Sequence, residues 1–187
     1  MNVYDFDNTI FRGDSTVRFI LFCLGRHPML WTRLPGQIAS GAAYLLGKKS
    51  KQRFKEGLFT ALMPRLKNPE EEINAFWEKN LCRIKPFYAQ TRREDDVVIS
   101  ASPEFLILPA CQRLGIACAM ASPVDAHTGA YRGENCHGAE KVRRFRQRFP
   151  HDNVDEFYSD SHSDDPMAAI ARKAVLVNGD KLLPWKK

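Results

Sequence analysis

Cysteines are few and scattered: five, at positions 23, 82, 111, 118 and 136, with no C-x-x-C pair among them. An odd count at such spacing argues against a disulfide framework or a cysteine-built zinc site, and fits a reducing compartment with buried free thiols. Long hydrophobic runs are missing too. The most apolar stretch, residues 19–46, is broken by Arg26, His27, Pro28, Arg33 and Pro35. A simple membrane span needs about 20 largely uninterrupted apolar residues, so this is not one, although a surface that touches lipid stays open. No signal peptide is expected, since polar chemistry begins already at Asp5. The expected location is therefore cytoplasmic, with membrane association left open. Basic residues are not interleaved with aromatics and show no zinc-finger spacing, so nucleic acid is not an expected partner. There is no internal repeat and no low-complexity tract.

The 187 residues suit one domain of ordinary size, or one core with a modest insertion. A composition of 44% hydrophobic and 27% charged residues is that of a globular protein rather than a disordered one. The net charge is +6, with basic residues gathered at Lys48-Lys49-Ser50-Lys51, at Arg92-Arg93 and over residues 141–148. Solvated helix faces account for most of these charges. An anionic substrate or an anionic membrane surface would also suit such a balance.

Val3-Tyr4-Asp5-Phe6 reads as a very short strand running into a loop. Helix spacing starts at Ser15, with Val17, Ile20, Leu21 and Leu24 as its apolar positions, and Gly25 and His27-Pro28 end it. Residues 36–46 and 51–62 are further helix candidates. Asn68-Pro69-Glu70-Glu71-Glu72 predicts a helix start, with Asn as cap, Pro at the first position and three acids at the positive end of the dipole. Ile73, Phe76, Trp77 and Leu81 supply its buried stripe. The pattern then alternates. Strands are expected at 96–100, 116–121, 154–158 and 174–177. Helices are expected from Ser102-Pro103-Glu104 to Gly115, kinked at Pro109, from Gly138 to Arg148, and over residues 166–172. The predicted fold class is α/β: a three-layer, Rossmann-like core with a parallel sheet. A helical cap is inserted after the first strand, so residues 1–14 and 87–187 form the core and residues 15–86 the cap.

Open parallel sheets place ligands beyond the carboxyl ends of their strands. Four polar groupings fall at such ends or at helix starts facing them: Asp5-Phe6-Asp7-Asn8-Thr9, Ser100-Ala101-Ser102, Lys141, and residues 159–165 with Asp160, Asp164 and Asp165. Carboxylates crowded together repel one another unless a cation sits among them. Oxygen ligands without His or Cys favour magnesium. A lysine and paired serines among the acids suit an anion as well, and phosphate satisfies both requirements.

Asp5-x-Asp7-x-Thr9, Ser100, Lys141 and Asp160-x-x-x-Asp164, in this order, resemble the four motifs of the haloacid dehalogenase superfamily. The arrangement is similar to its phosphoserine-phosphatase-like branch (subfamily IB), which carries a helical cap between the first two motifs. Supporting strings are Thr128-Gly129, Asn135-Cys136-x-Gly138-x-Glu140-Lys141 and Ser163-Asp164-x-Pro166-Met167. The resemblance implies a magnesium-dependent phosphatase acting on a small-molecule or lipid phosphate monoester. It implies Asp5 as nucleophile and Asp7 as general acid and base. Asp5, Asp160 and the Asp7 carbonyl would hold the metal, with Asp164 as ligand or orienter of its waters. Ser100 and nearby backbone donors would bind the phosphoryl oxygens, and Lys141 would neutralise charge. Thr9, Asp14, Ala101 and Ser102 complete the expected substrate-binding set. Ser161 stands where glycine is common, Asp14 where the phosphoserine enzymes carry a glutamate, and Ala61 or Leu62 where a cap arginine is expected. Two alternatives are carried with this reading: a phosphatidylglycerophosphate-type lipid phosphatase at the membrane surface, and a catalytically silent binding module on the same fold. Asp165 is expected as a surface or supporting acid, and His162 in solvent.

Overall fold

A computed structural model describes residues 1–33 and 51–186. Six strands form one sheet in the order β3-β2-β1-β4-β5-β6. They are β1 (Asn2–Tyr4), β2 (Val97–Pro103), β3 (Cys118–Ser122), β4 (Val154–Ser159), β5 (Ala171–Asn178) and β6 (Lys181–Pro184). The first five run parallel, and β6 joins the edge antiparallel to β5. The described helices are α1 (Ser15–Arg26), α2 (Lys51–Leu62), α3 (Pro69–Asn80), α4 (Pro86–Thr91), α5 (Glu104–Arg113), α6 (Ala139–Arg148) and α7 (Asp165–Ile170).

Alternation along the central strands divides the core into two halves, because successive side chains point to opposite faces. Val3, Val97, Ile99 and Phe157 belong to one buried cluster, which α6 and α7 close with Phe145 and Met167. Tyr4, Val98 and Tyr158 belong to the other, which the inserted helices close with Phe19, Phe59, Phe76 and Trp77 and α5 closes with Leu106 and Ile107. Helices thus cover both faces of the sheet. This is the three-layer α/β fold expected from the alternation of strands and helices.

The insertion between β1 and β2 is keyed into the sheet side of the molecule. Trp77 stands edge-on to both Phe6 and Phe11, and its indole N–H donates to the Leu106 carbonyl at 2.7 Å. The buried Glu72 accepts from Arg26 Nε at 2.8 Å and lies 3.0 Å from His27 Nε2, tying the start of α3 to the end of α1. Residues 36–46, read above as a helix, lie outside the described residues. No described helix is long and apolar enough to cross a membrane.

Several local expectations change. On α1 the buried residues are Ser15, Thr16, Phe19, Cys23 and Leu24, whereas Val17 and Leu21 are 52% and 59% exposed. Of the apolar positions read from spacing, Leu24 is buried and Ile20 packs against the core, while the small polar Ser15 and Thr16 face inward in place of Val17 and Leu21. Asn68 precedes α3 but makes no side-chain cap; its amide donates to Glu71 instead. Strand β2 extends through Pro103, so Ser100, Ala101 and Ser102 sit on the strand itself. The last helix stops at Ile170, and Arg172 belongs to β5. The antiparallel β6 has no counterpart among the expected strands. Its signal is the Asn178-Gly179-Asp180-Lys181 turn, with Gly179 at φ 60° in a two-residue hairpin loop.

Candidate active site

The carboxyl end of β1 places Asp5 at the centre of the sheet, and its N–H continues the ladder by donating to the Tyr158 carbonyl at 2.9 Å. Lys141, on the first turn of α6, is almost fully buried and donates to Asp5 Oδ1 at 2.6 Å and to Asp164 Oδ2 at 2.7 Å. Ser159 Oγ adds a third contact by donating to Asp164 Oδ2 at 2.8 Å. Thr9 links the other side. Its hydroxyl lies 3.5 Å from Asp5 Oδ2 and accepts from the Asp160 N–H at 3.0 Å. Three of the four sequence groupings therefore join in one network, across |i−j| separations of 136 and 151 residues.

Asp7 belongs to a second, adjoining network. Its Oδ1 accepts from the Ser15 N–H at 2.7 Å, and its Oδ2 accepts from the Ser102 hydroxyl. Ser102 Oγ lies 3.0 Å from Thr16 Oγ1, and the Ser102 N–H donates to Ser100 Oγ at 3.1 Å. The chain turns sharply after Asp7: Asn8 adopts a left-handed φ of 55° and its N–H donates to the Gly13 carbonyl at 2.9 Å. Asn tolerates this conformation better than most residues.

The electrostatics follow from burial. Asp5 is pushed up to about 7, mainly because burial penalises its charge, with Lys141 opposing and Asp164 adding to the rise. Burial would lower Lys141, but Asp5 and Asp164 outweigh it and hold the ammonium protonated. Asp7 is raised by burial and by the Asp14 charge, against the pull of Ser102 and Ser15. Burial raises Asp160 as well.

Two residues expected to bind substrate also make bonds within the fold. The Asp14 carboxylate caps α1, accepting from the Val17 N–H at 2.9 Å, and the Ala101 carbonyl accepts from Ser122 Oγ at 3.0 Å. Asp165 accepts from Trp185 Nε1 at 2.9 Å and lies 3.1 Å from His162 Nδ1, while His162 packs edge-on against the Trp185 ring. His162 is thus half engaged by the edge of the fold rather than simply solvated.

Ser15 and Thr16 beside Asp7 escape sequence reasoning, and so does a lysine on the other side of the loop. Lys85, almost fully buried, donates to the Asn8 carbonyl and, at 2.6 Å, to the Gly179 carbonyl. It pins the loop after Asp7 to the β5–β6 turn, and burial lowers its proton affinity. Only its place immediately before Pro86 sets it apart in the sequence. With Asn8, Arg12, Gly13 and Gly179 it lines a cavity of about 470 Å³ that also reaches Asp160.

Among the described residues, no group of three or more His, Cys, Asp or Glu side chains is assembled to hold a metal ion. The donor set nevertheless fits a hard cation. All its atoms are oxygens, and Asp164 Oδ1 is buried without a protein partner, as is the hydroxyl of Ser15 beside Asp7.

Residues 3–169 match the haloacid dehalogenase-like hydrolase family. The phosphoserine phosphatase SerB1 of Mycobacterium tuberculosis is 28% identical over 96% of this chain and 65% of its own length. The chain spans about two thirds of the curated relatives it matches. In structure it is similar to a Bordetella pertussis protein of unknown function, with a TM-score of 0.74, 18% identity, and coverage of 94% of this chain and 88% of that one. It is also similar to a phosphoserine phosphatase holding a phospho-aspartyl intermediate analogue, with a TM-score of 0.61, 15% identity, and coverage of 93% and 84%. These likenesses establish the shared fold. With a matching stretch that runs from β1 to α7, this chain belongs to the haloacid dehalogenase-like hydrolases.

Proposed function

We propose that the protein is a magnesium-dependent phosphatase of the phosphoserine-phosphatase-like branch, hydrolysing a phosphate monoester through an aspartyl-phosphate on Asp5. The observation that carries this reading is the buried Asp5–Lys141–Asp164 triad with a second carboxyl, Asp7, held beside it by independent donors. A nucleophile and an acid/base need different environments, and the two networks supply them.

In this reading Asp5 attacks phosphorus, the alkoxide leaves, and Asp7 gives it a proton. Asp7 then takes a proton from the water that cleaves the acyl-phosphate. Lys141 offsets the charge that builds on Asp5 and the phosphoryl oxygens. Ser100 and backbone N–H groups at the end of β2 bind those oxygens. The carboxylates of Asp5, Asp160 and Asp164 and the carbonyl of Asp7 would hold magnesium, which when bound neutralises phosphoryl charge. The helices of residues 15–86 act as the cap that selects the ester. Because Asp14 caps α1 and no cap arginine matches, phosphoserine is not singled out, and the substrate is a phosphate monoester of undefined alcohol.

The test is the pair Asp5→Asn and Asp7→Asn on p-nitrophenyl phosphate, with magnesium and after chelation. Asp5→Asn should form no acid-stable phosphoenzyme. Asp7→Asn should form it and hydrolyse it slowly, as a burst. Full turnover after exhaustive chelation, or phosphate retained on Asp5→Asn, would overturn the reading.

A further inference from the structure

We propose that Ser102 is a positioning residue for the Asp7 carboxyl rather than a phosphate ligand, and that Thr16 on α1 sets the direction of the Ser102 proton. This rests on the role proposed above for Asp7.

The proton count on Ser102 carries the inference. A serine hydroxyl has one proton to donate and two lone pairs. The Ser102 hydroxyl donates to Asp7 Oδ2, so its single proton is committed. Thr16 Oγ1 lies 3.0 Å from the same oxygen, and with that proton spent the Thr16 hydroxyl must be the donor between them. The chain of donors thus runs from Thr16 to Ser102 to Asp7. No hydroxyl proton is left for a phosphoryl oxygen, which is an acceptor only. The Ser102 N–H is likewise taken, by Ser100 Oγ at 3.1 Å.

Burial makes the arrangement rigid. Ser102 and Thr16 are 1% and 3% exposed, so water does not compete for these bonds. The Ser15 N–H holds the opposite oxygen of Asp7 at 2.7 Å. One donor on each oxygen fixes the carboxyl plane, and the second lone pair of each oxygen remains for the proton that moves to or from the reacting group. One of these donors comes from the first turn of α1 and the other from the end of β2, where Thr16 of α1 backs the Ser102 hydroxyl. Asp7 is therefore oriented by the inserted helix and the sheet together, although neither Ser15 nor Thr16 carries a motif signature.

The experiment compares kcat/KM, which covers the steps up to alcohol release, for p-nitrophenyl phosphate and for an alkyl phosphate. Ser102→Ala and the near-isosteric Thr16→Val are measured against wild type, with inhibition by inorganic phosphate as a third readout. A misaligned acid hurts most where the leaving group needs its proton. Ser102→Ala should lower kcat/KM about tenfold to a hundredfold on the alkyl ester and no more than about threefold on the p-nitrophenyl ester. Phosphate inhibition should stay within about twofold, Thr16→Val should show a weaker form of the same split, and Thr16→Ser should abolish it. Equal losses on both esters, or phosphate inhibition weakened in step with activity, would return Ser102 to phosphate binding or plain structure. An inactive wild type would instead remove the phosphatase reading itself, and the positioning role with it.

Discussion

Lys141 places an ammonium between two carboxylates that would otherwise face each other out of reach of water, at 2.6 Å from Asp5 and 2.7 Å from Asp164. Breaking a buried pair by removing one partner is costly, because the remaining charge is stranded. Lys141→Met should destabilise the metal-free protein by about 3–5 kcal/mol in urea unfolding, along with loss of turnover. An unchanged unfolding midpoint would show that the triad does not hold as described. Asp14 makes a different case. Expected from the family resemblance to meet substrate, it caps α1 through the Val17 N–H. Asp14→Ala should therefore cost about 1 kcal/mol of stability, and Asp14→Asn, which keeps an oxygen at the cap, should restore most of it. A stability loss in both variants alike would point to charge rather than capping.

At the scale of elements, the hairpin after β3 is docked on α2 by the absence of a side chain. Gly129 sits at φ 71°, and a Cβ there would come within 2.2 Å of the Phe59 carbonyl carbon. Both the backbone angle and the contact exclude alanine unless the hairpin or α2 moves. Gly129→Ala should lower stability by about 1–3 kcal/mol, read as a drop in the thermal midpoint. Gly25, inside α1 with nothing within 4 Å of where a methyl group would sit, is the counterpart. Gly25→Ala should stabilise by about 0.5–1 kcal/mol, since alanine loses less backbone entropy in a helix. If both variants moved the midpoint the same way, the close approach of hairpin and helix would not be what Gly129 serves.

For the whole molecule, the buried acids set a pH dependence whose sign can be worked out. Asp5 moves from its ordinary value of 3.8 up to about 7 on folding. Between these values the folded chain holds a proton that the unfolded chain has released, so this contribution to stability is full below about pH 4 and is lost as pH rises towards 7. Asp7 and Asp160 are raised too and act in the same direction. Glu140 and Asp125, held down to about 2 by arginine and backbone partners, act the opposite way, but their contribution is complete above about pH 5. The thermal midpoint of chelator-treated protein should therefore fall between about pH 5 and 7.5, and Asp5→Asn should flatten the fall. Magnesium should raise the midpoint more at about pH 7.5 than at about pH 5, because it binds the ionised carboxylates. A midpoint that rises over this range in the metal-free wild type would contradict the burial of Asp5.

The fold class is legible in the sequence because its signals are local. Short apolar strands alternate with helix periods from β2 onward, and turn and cap residues punctuate them. The acid and lysine motifs are legible for a related reason: strand ends and helix starts can be read from pattern, and parallel topology then brings them to one edge. The α1 face, the antiparallel β6 and the roles of Lys85, Thr16 and Ser15 are not legible. Spacing shows that a helix is amphipathic but not which edge meets the sheet, so Val17 and Leu21 look internal and prove exposed. Lys85 gains its meaning from the Asn8 and Gly179 carbonyls, 77 and 94 residues away in the chain. A hydrogen bond depends on where two atoms meet and in which direction a proton points, and that is decided only when distant segments pack. The sequence by itself determined which acids and lysine stand at strand ends and helix starts; the tertiary structure decided which oxygen of Asp7 each donor holds.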